Sequence, residues 1–115
     1  MPDVIAYKVL TADQLEALER EGRFAGAPVD LADGYIHLST ADQLAGTIDK
    51  HFAGQDDLQL AAVDLEALGE AVKWDESRGG QLFPHVYAPL TLDIVLAYSP
   101  LAYEPDGSIR LPVAG

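Results

Sequence analysis

The stretch Gly34-Tyr35-Ile36-His37-Leu38-Ser39-Thr40 decides the fold. Ile36 and Leu38 alternate with Tyr35, His37 and Ser39, the two-residue period of a strand with one apolar face and one polar-tipped face. Thr40 and Gln43 then have the spacing of a capping box and open a helix. Leu44, Ile48 and Phe52 recur at i, i+4 and i+8 on one side of it, and Gly54 ends it.

Upstream, Val4 to Leu10 reads as a first strand, rich in β-branched and aromatic residues. Thr11 and Gln14 form another capping box, Leu15 and Leu18 give that helix a buried face, and Gly22 stops it. Phe24 to Ala32 carries no period and is expected to be irregular, with a turn at Asp33-Gly34. Downstream, Leu58 to Val63 reads as a strand, Asp64 to Gly69 as a short helical turn and Ala71 to Trp74 as a brief strand. Asp75 to Gln81 reads as a polar loop. Phe83 to Tyr87 and Leu92 to Tyr98 read as closing strands, followed by a proline-bearing tail. Residues 1–115 are expected to form a single α+β domain, a compact mixed or mostly antiparallel sheet carrying two main helices.

Composition bounds the function. With 115 residues, 49% of them hydrophobic, one core suffices without a metal or disulfide staple. No apolar run approaches the roughly 20 residues a membrane-spanning helix needs, and Met1-Pro2-Asp3-Val4 lacks the charged start of a signal peptide. The absence of cysteine removes thiol catalysis and thiolate metal sites and suits a reducing cytoplasm. Nineteen acids against seven bases give a net charge of −12, and the bases form no run, which argues against nucleic acid as a partner. No HxH, HxxxH or HExxH spacing suggests a metal site, no Gly-rich phosphate loop follows a strand, and Ser39 lacks the turn of a hydrolase nucleophile.

Two strand histidines remain. His37 precedes a helix N-terminus, whose unpaired amides suit a phosphate or carboxylate, and an imidazole there serves as acid, base or hydroxyl ligand. A core histidine bonded to backbone is the plainer alternative. His85, in Phe83-Pro84-His85-Val86-Tyr87, again shares a face with an aromatic hydroxyl two residues on. If the two strands lie close, His37, Ser39, His85 and Tyr87 line one surface. His51 is expected on the protein surface. In the segment from Trp74 to Gly80, Trp74 either stacks on a planar ligand or packs in the core. Asp75 or Glu76 is placed to steady a cation or accept from a sugar, and Arg78 offers a fork for phosphate, unless the segment is an ordinary hairpin loop with an internal salt bridge.

Tyr7-Lys8-Val9-Leu10, Asp33 to Thr40 with Gln43, Trp74-Asp75 and Phe83 to Tyr87 together resemble the bacterial family grouped as domain of unknown function 952. In that family the position after the tryptophan is usually Glu, and here it is Asp75. The family in turn is similar to a minimal ADP-ribosyltransferase-like fold, shared with RNA 2′-phosphotransferases and poly(ADP-ribose) polymerases. Ile36 to Thr40 is similar to their second motif strand, Tyr7-Lys8 to the first, and Phe83 to Tyr87 to the strand that often bears a catalytic Glu. The first-motif His is absent, and His85 stands where that Glu is expected. The resemblance implies a small-molecule site for NAD or a related nucleotide, with ADP-ribosyl transfer or cleavage. In it His37 binds a ribose hydroxyl, Ser39 and the amides after Thr40 hold phosphate or amide groups, and Trp74 or Tyr87 stacks on a ring. His85 or Asp75 stabilises charge at the sugar carbon, and Arg78 pairs with the diphosphate. A non-catalytic binding or regulatory module is the alternative, and a hydrolase or transferase of a small metabolite with His85 as base is a third.

Overall fold

A computed structural model describes residues 4–76 and 80–112; Arg78 lies outside the described residues. Strand β1 (Ile5–Thr11) leads into α1 (Ala12–Glu21) through the expected capping box: the Thr11 hydroxyl accepts from the Gln14 amide at 3.2 Å, and the Gln14 side chain accepts from the Thr11 amide at 3.0 Å. A two-residue strand β2 (Arg23–Phe24) follows, then α2 (Pro28–Asp33), β3 (Ile36–His37), a 3-10 turn at Ala41–Gln43 and α3 (Leu44–His51). The second half contains β4 (Leu58–Asp64), α4 (Leu65–Leu68), β5 (Val72–Glu76), β6 (Leu82–Val86), β7 (Leu90–Thr91) and β8 (Val95–Pro100).

The strands make two three-stranded antiparallel sheets, ordered β1-β4-β8 and β3-β6-β5, and a small ribbon of β2 with β7. The expected mixed or antiparallel sheet is therefore antiparallel at every described pairing, and it is divided. β1 and β4 read as near-continuous apolar runs because both their faces are covered. Ala6, Leu10, Ala61 and Val63 face a core shared with Leu15 and Leu18 of α1 and with Ile36, Leu38 and Val86 of the second sheet. Val9, Leu58 and Leu60 face Leu44 and Ile48 of α3.

Besides Asp75 and Glu76, which extend β5 where a loop was expected, two stretches depart from the expected elements. The segment read as irregular contains α2. Pro28 occupies its first turn, the buried Asp30 carboxylate accepts from the Ala27 amide at 2.7 Å, and Gly34, at φ 89°, closes it by donating to the Asp30 carbonyl. Just before it, Gly26 sits at φ 135°, where a side chain would place its Cβ 2.9 Å from Asp30 Cβ. The expected strand over Leu92 to Tyr98 begins instead as a 3-10 turn at Leu92–Ile94, since an apolar run without strict alternation does not separate turn from strand.

Among the described residues, the backbones of the two sheets are bridged at one pair. Tyr7 and Ser39 exchange both backbone hydrogen bonds, at 2.7 and 2.9 Å, and beyond that bridge β1 and β3 diverge. The Leu38 amide donates to Pro84 of β6, so by alternation the His37 amide and carbonyl face away from β6 and toward the gap. Two side chains fill the place of the missing strand. Asp30 Oδ1 accepts from the His37 amide at 3.1 Å, and Lys8 Nζ donates to the His37 carbonyl at 3.2 Å. Lys8 and Asp30 pair with each other at 2.9 Å, both almost wholly buried.

Breaking a buried pair by removing one member leaves an uncompensated charge and costs about 3–5 kcal/mol. Asp30→Ala, which also strips the caps from Ala27 and His37, is expected to lower unfolding stability by that amount in urea titration. The double variant Asp30→Leu with Lys8→Met is expected to recover a measurable part of the loss, and a double variant no more stable than Asp30→Ala would contradict this account.

Candidate functional site

The cleft between the diverging strands opens into a cavity of about 620 Å³. That lies within the roughly 300–1,000 Å³ of small-molecule sites. Its walls come from β1 (Tyr7, Lys8, Val9 and Thr11), from α2 and β3 (Val29, Asp33, Tyr35, His37 and Ser39), from β6 (Phe83 and His85) and from α3 with the turn after it (Thr47, Lys50, His51, Phe52 and Gln55).

His37 and His85 are direct cross-strand partners, with ring centroids 5.3 Å apart. Tyr35 lies against both, stacked on His85 at 4.1 Å and tilted to His37 at 4.7 Å. The shared polar face anticipated from alternation is thus present, on the side of the sheet opposite Ile36, Leu38 and Val86. The two imidazoles differ in their partners. His37 Nδ1 meets Asp30 Oδ1 at 2.7 Å and its Nε2 meets Asp33 Oδ2 at 3.0 Å. Ionised carboxylates only accept, so the ring donates Nδ1–H to Asp30, and its Nε2 faces the Asp33 carboxylate rather than open cavity. His85 Nδ1 meets one carboxylate, Asp75 Oδ2, at 2.9 Å, and its Nε2 has no hydrogen bond to any described residue.

Asp30 and Asp75, which orient these rings, are held below the ordinary carboxylate value. Burial alone pushes Asp30 up, but the His37 hydrogen bond and the adjacent Lys8 ammonium outweigh it and hold the carboxyl at about 2. Burial in turn draws Lys8 below its ordinary value against the pull of Asp30. Asp75 lies below the usual carboxylate range because His85 and the Tyr87 hydroxyl, at 2.9 Å, both hydrogen-bond to it. Tyr35 is raised by burial and by Asp33 and Asp75.

The expected site residues divide between the cavity and its margins. His37, His85 and Ser39 line the cavity; Ser39 is buried and its hydroxyl shares a 2.8 Å hydrogen bond with Thr47. Thr40 stands at the start of the 3-10 turn, where its amide donates to the Gln43 side chain at 3.1 Å, outside the cavity wall. Asp75 and Tyr87 lie behind His85 rather than in the wall. Asp75 belongs to β5, not to a loop, and its carboxylate accepts from His85 and from the Tyr87 hydroxyl. Trp74 is not a stacking platform for this cavity. It pairs with Pro84 in β5, one residue out of phase with Asp75, and packs against the core on the other face. His51, expected on the surface, is exposed yet forms part of the cavity wall. Asp30, Asp33 and Tyr35 were not singled out as site residues by sequence reasoning. Pro28 two residues before Asp30 was the available signal for α2, but the contact of Asp30 with Lys8 spans 22 positions, beyond any local pattern.

The depressed Asp30 carboxyl contributes stability that is fully present above its unfolded value of 3.8 and is lost as pH falls from there through about 2. Unfolding stability measured across that window is expected to fall by about 2 kcal/mol more in the native chain than in Asp30→Ala. Equal slopes in the two chains would exclude this contribution.

Similarity to known proteins agrees with this architecture. The crystal structure of protein CC0527 from Caulobacter crescentus superposes with a TM-score of 0.83 at 46% sequence identity, covering 93% of this chain and 94% of that one. The solution NMR structure of CC0527 gives 0.78 at 45% identity, covering 93% and 91%. A comparison with curated proteins finds no match. The family model described as "Protein of unknown function (DUF952)" matches residues 9–98, most of the chain. The chain belongs to the DUF952 family.

Proposed function

We propose that the cavity binds a small ligand of the nucleotide class, NAD or a related molecule, and that ADP-ribosyl transfer or cleavage is the chemistry it serves. The observation that carries this reading is the free edge of β1. Tyr7 turns its amide and carbonyl toward Ser39, so by the two-residue period Val9 turns its own amide and carbonyl into the cleft. The strand they would pair with has been replaced by Lys8 and Asp30, and no described residue bonds to them. A backbone donor and acceptor side by side, inside a cavity, match a carboxamide, which presents one acceptor and one donor.

Other features support the same class. Tyr7, Tyr35, Phe52 and Phe83 supply aromatic surface for a planar ring. Lys50 brings positive charge to the wall of a chain with net charge −12, as phosphate groups require, and His51 stands beside it. The three strands that resemble ADP-ribosyltransferase motifs, β1, β3 and β6, are neighbours around this one cleft. A second reading, binding without turnover, draws on the engagement of the acids: Asp33, the one acid in the wall, is paired with His37.

Titration with NAD, ADP-ribose, nicotinamide and nicotinate, followed by amide and ring NMR signals, tests the proposal. NAD and nicotinamide are expected to shift Val9, Tyr35 and His37. Nicotinate sets a second acceptor against the Val9 carbonyl and is expected to bind at least about tenfold more weakly. No perturbation at millimolar NAD would remove the nucleotide reading.

A further inference from the structure

We propose that His85 is the general base of this cavity, held by Asp75 as a positioning residue, and that it activates water to cleave the bond between ribose and the pyridinium ring of the bound ligand. This rests on the ligand class proposed above and adds which group moves the proton.

The assignment comes from the unequal surroundings of the two rings. His37 has a carboxylate beside each nitrogen, Asp30 at 2.7 Å from Nδ1 and Asp33 at 3.0 Å from Nε2. His85 has one, Asp75, which is an acceptor only and already takes the Tyr87 hydroxyl proton. The proton on His85 must therefore sit on Nδ1, and Nε2 keeps its lone pair. The side chain of His85 is 3% exposed, so the ring is fixed, while it still forms part of the cavity wall. Tyr35 stacked on one side at 4.1 Å and the Asp75 hydrogen bond set its orientation. A carboxylate holding Nδ1–H beside a free Nε2 is the arrangement in which imidazole accepts a proton, and the developing imidazolium is stabilised by the carboxylate behind it.

In the step, the water oxygen bonds to the ribose carbon as the carbon–nitrogen bond breaks. The bonding pair leaves with the ring nitrogen, which turns the pyridinium into neutral nicotinamide, and the water proton passes to Nε2 of His85. NAD and water give nicotinamide, ADP-ribose and a proton, with no other reactant required.

The full chain is incubated with NAD, released nicotinamide is separated by chromatography, and the NAD dissociation constant is measured in parallel by calorimetry. Turnover is expected from the native chain, with a loss of at least about 100-fold in His85→Gln at little change in NAD affinity. Asp75, 40% exposed, tolerates substitution. Asp75→Asn is expected to lower kcat about 10- to 100-fold with KM nearly unchanged, and to redistribute the His85 proton between Nδ1 and Nε2 in nitrogen-15 spectra. NAD bound without release of nicotinamide overturns the general-base assignment and leaves the binding function standing. NAD neither bound nor cleaved overturns both. An Asp75→Asn chain with native kcat and native tautomer overturns the positioning role.

Discussion

The Lys8–Asp30 ion pair stands where a strand would otherwise run. An antiparallel sheet leaves no gap between neighbours unless something else satisfies the backbone groups on the facing edges. Here the ammonium takes the His37 carbonyl and the carboxylate takes the His37 amide. Asp30 also caps α2 and orients the His37 ring. One buried carboxylate thus sets the start of a helix, the edge of a sheet and the direction of an imidazole. The separation of β1 from β3, and with it the cavity, depends on that pair remaining ionised and buried.

The electrostatics of the site follow from the same economy of contacts. Acids outnumber bases throughout the chain, yet those around the cavity are spent on orientation: Asp30 and Asp33 on His37, Asp75 on His85 and Tyr87. The described cavity wall is mostly uncharged, with Tyr7, Tyr35, Phe52 and Phe83 as its aromatic rings and Lys50 and His51 along the α3 side. The function proposed above would draw on the shape of this wall, its backbone hydrogen-bonding groups and the local positive charge of Lys50 within a chain of net charge −12.

Much of this was legible in the residues. The alternation in Tyr35 to Ser39 and in Phe83 to Tyr87 assigned both histidines to strands and to one face each, and the pairing of His37 with His85 brings those faces together. The capping box at Thr11 gave the start of α1. The α2 segment escaped because a six-residue helix shows less than two turns of apolar period, and its one buried side chain is charged. Trp74 left two alternatives open because an aromatic residue in a short strand suits a core or a ligand equally. The choice lies in the register with Pro84, which no local pattern reveals. The membership of the DUF952 family was legible from motifs far apart in sequence, of which Tyr7 to Leu10, Asp33 to Thr40 and Phe83 to Tyr87 meet around one cleft.

Gly26 shows how tightly this cleft is tied to a residue outside its wall. Any side chain there would press its first carbon onto Asp30 from 2.9 Å, in a backbone conformation that other residues rarely adopt. Asp30 has nowhere to retreat, being clasped by Lys8, Ala27 and His37. The displacement would pass to the His37 ring and to the width of the gap beside it. A loop glycine outside the cavity wall therefore acts as a gauge for its mouth, and a substitution there would reshape the gap between β1 and β3 without altering any residue of that wall.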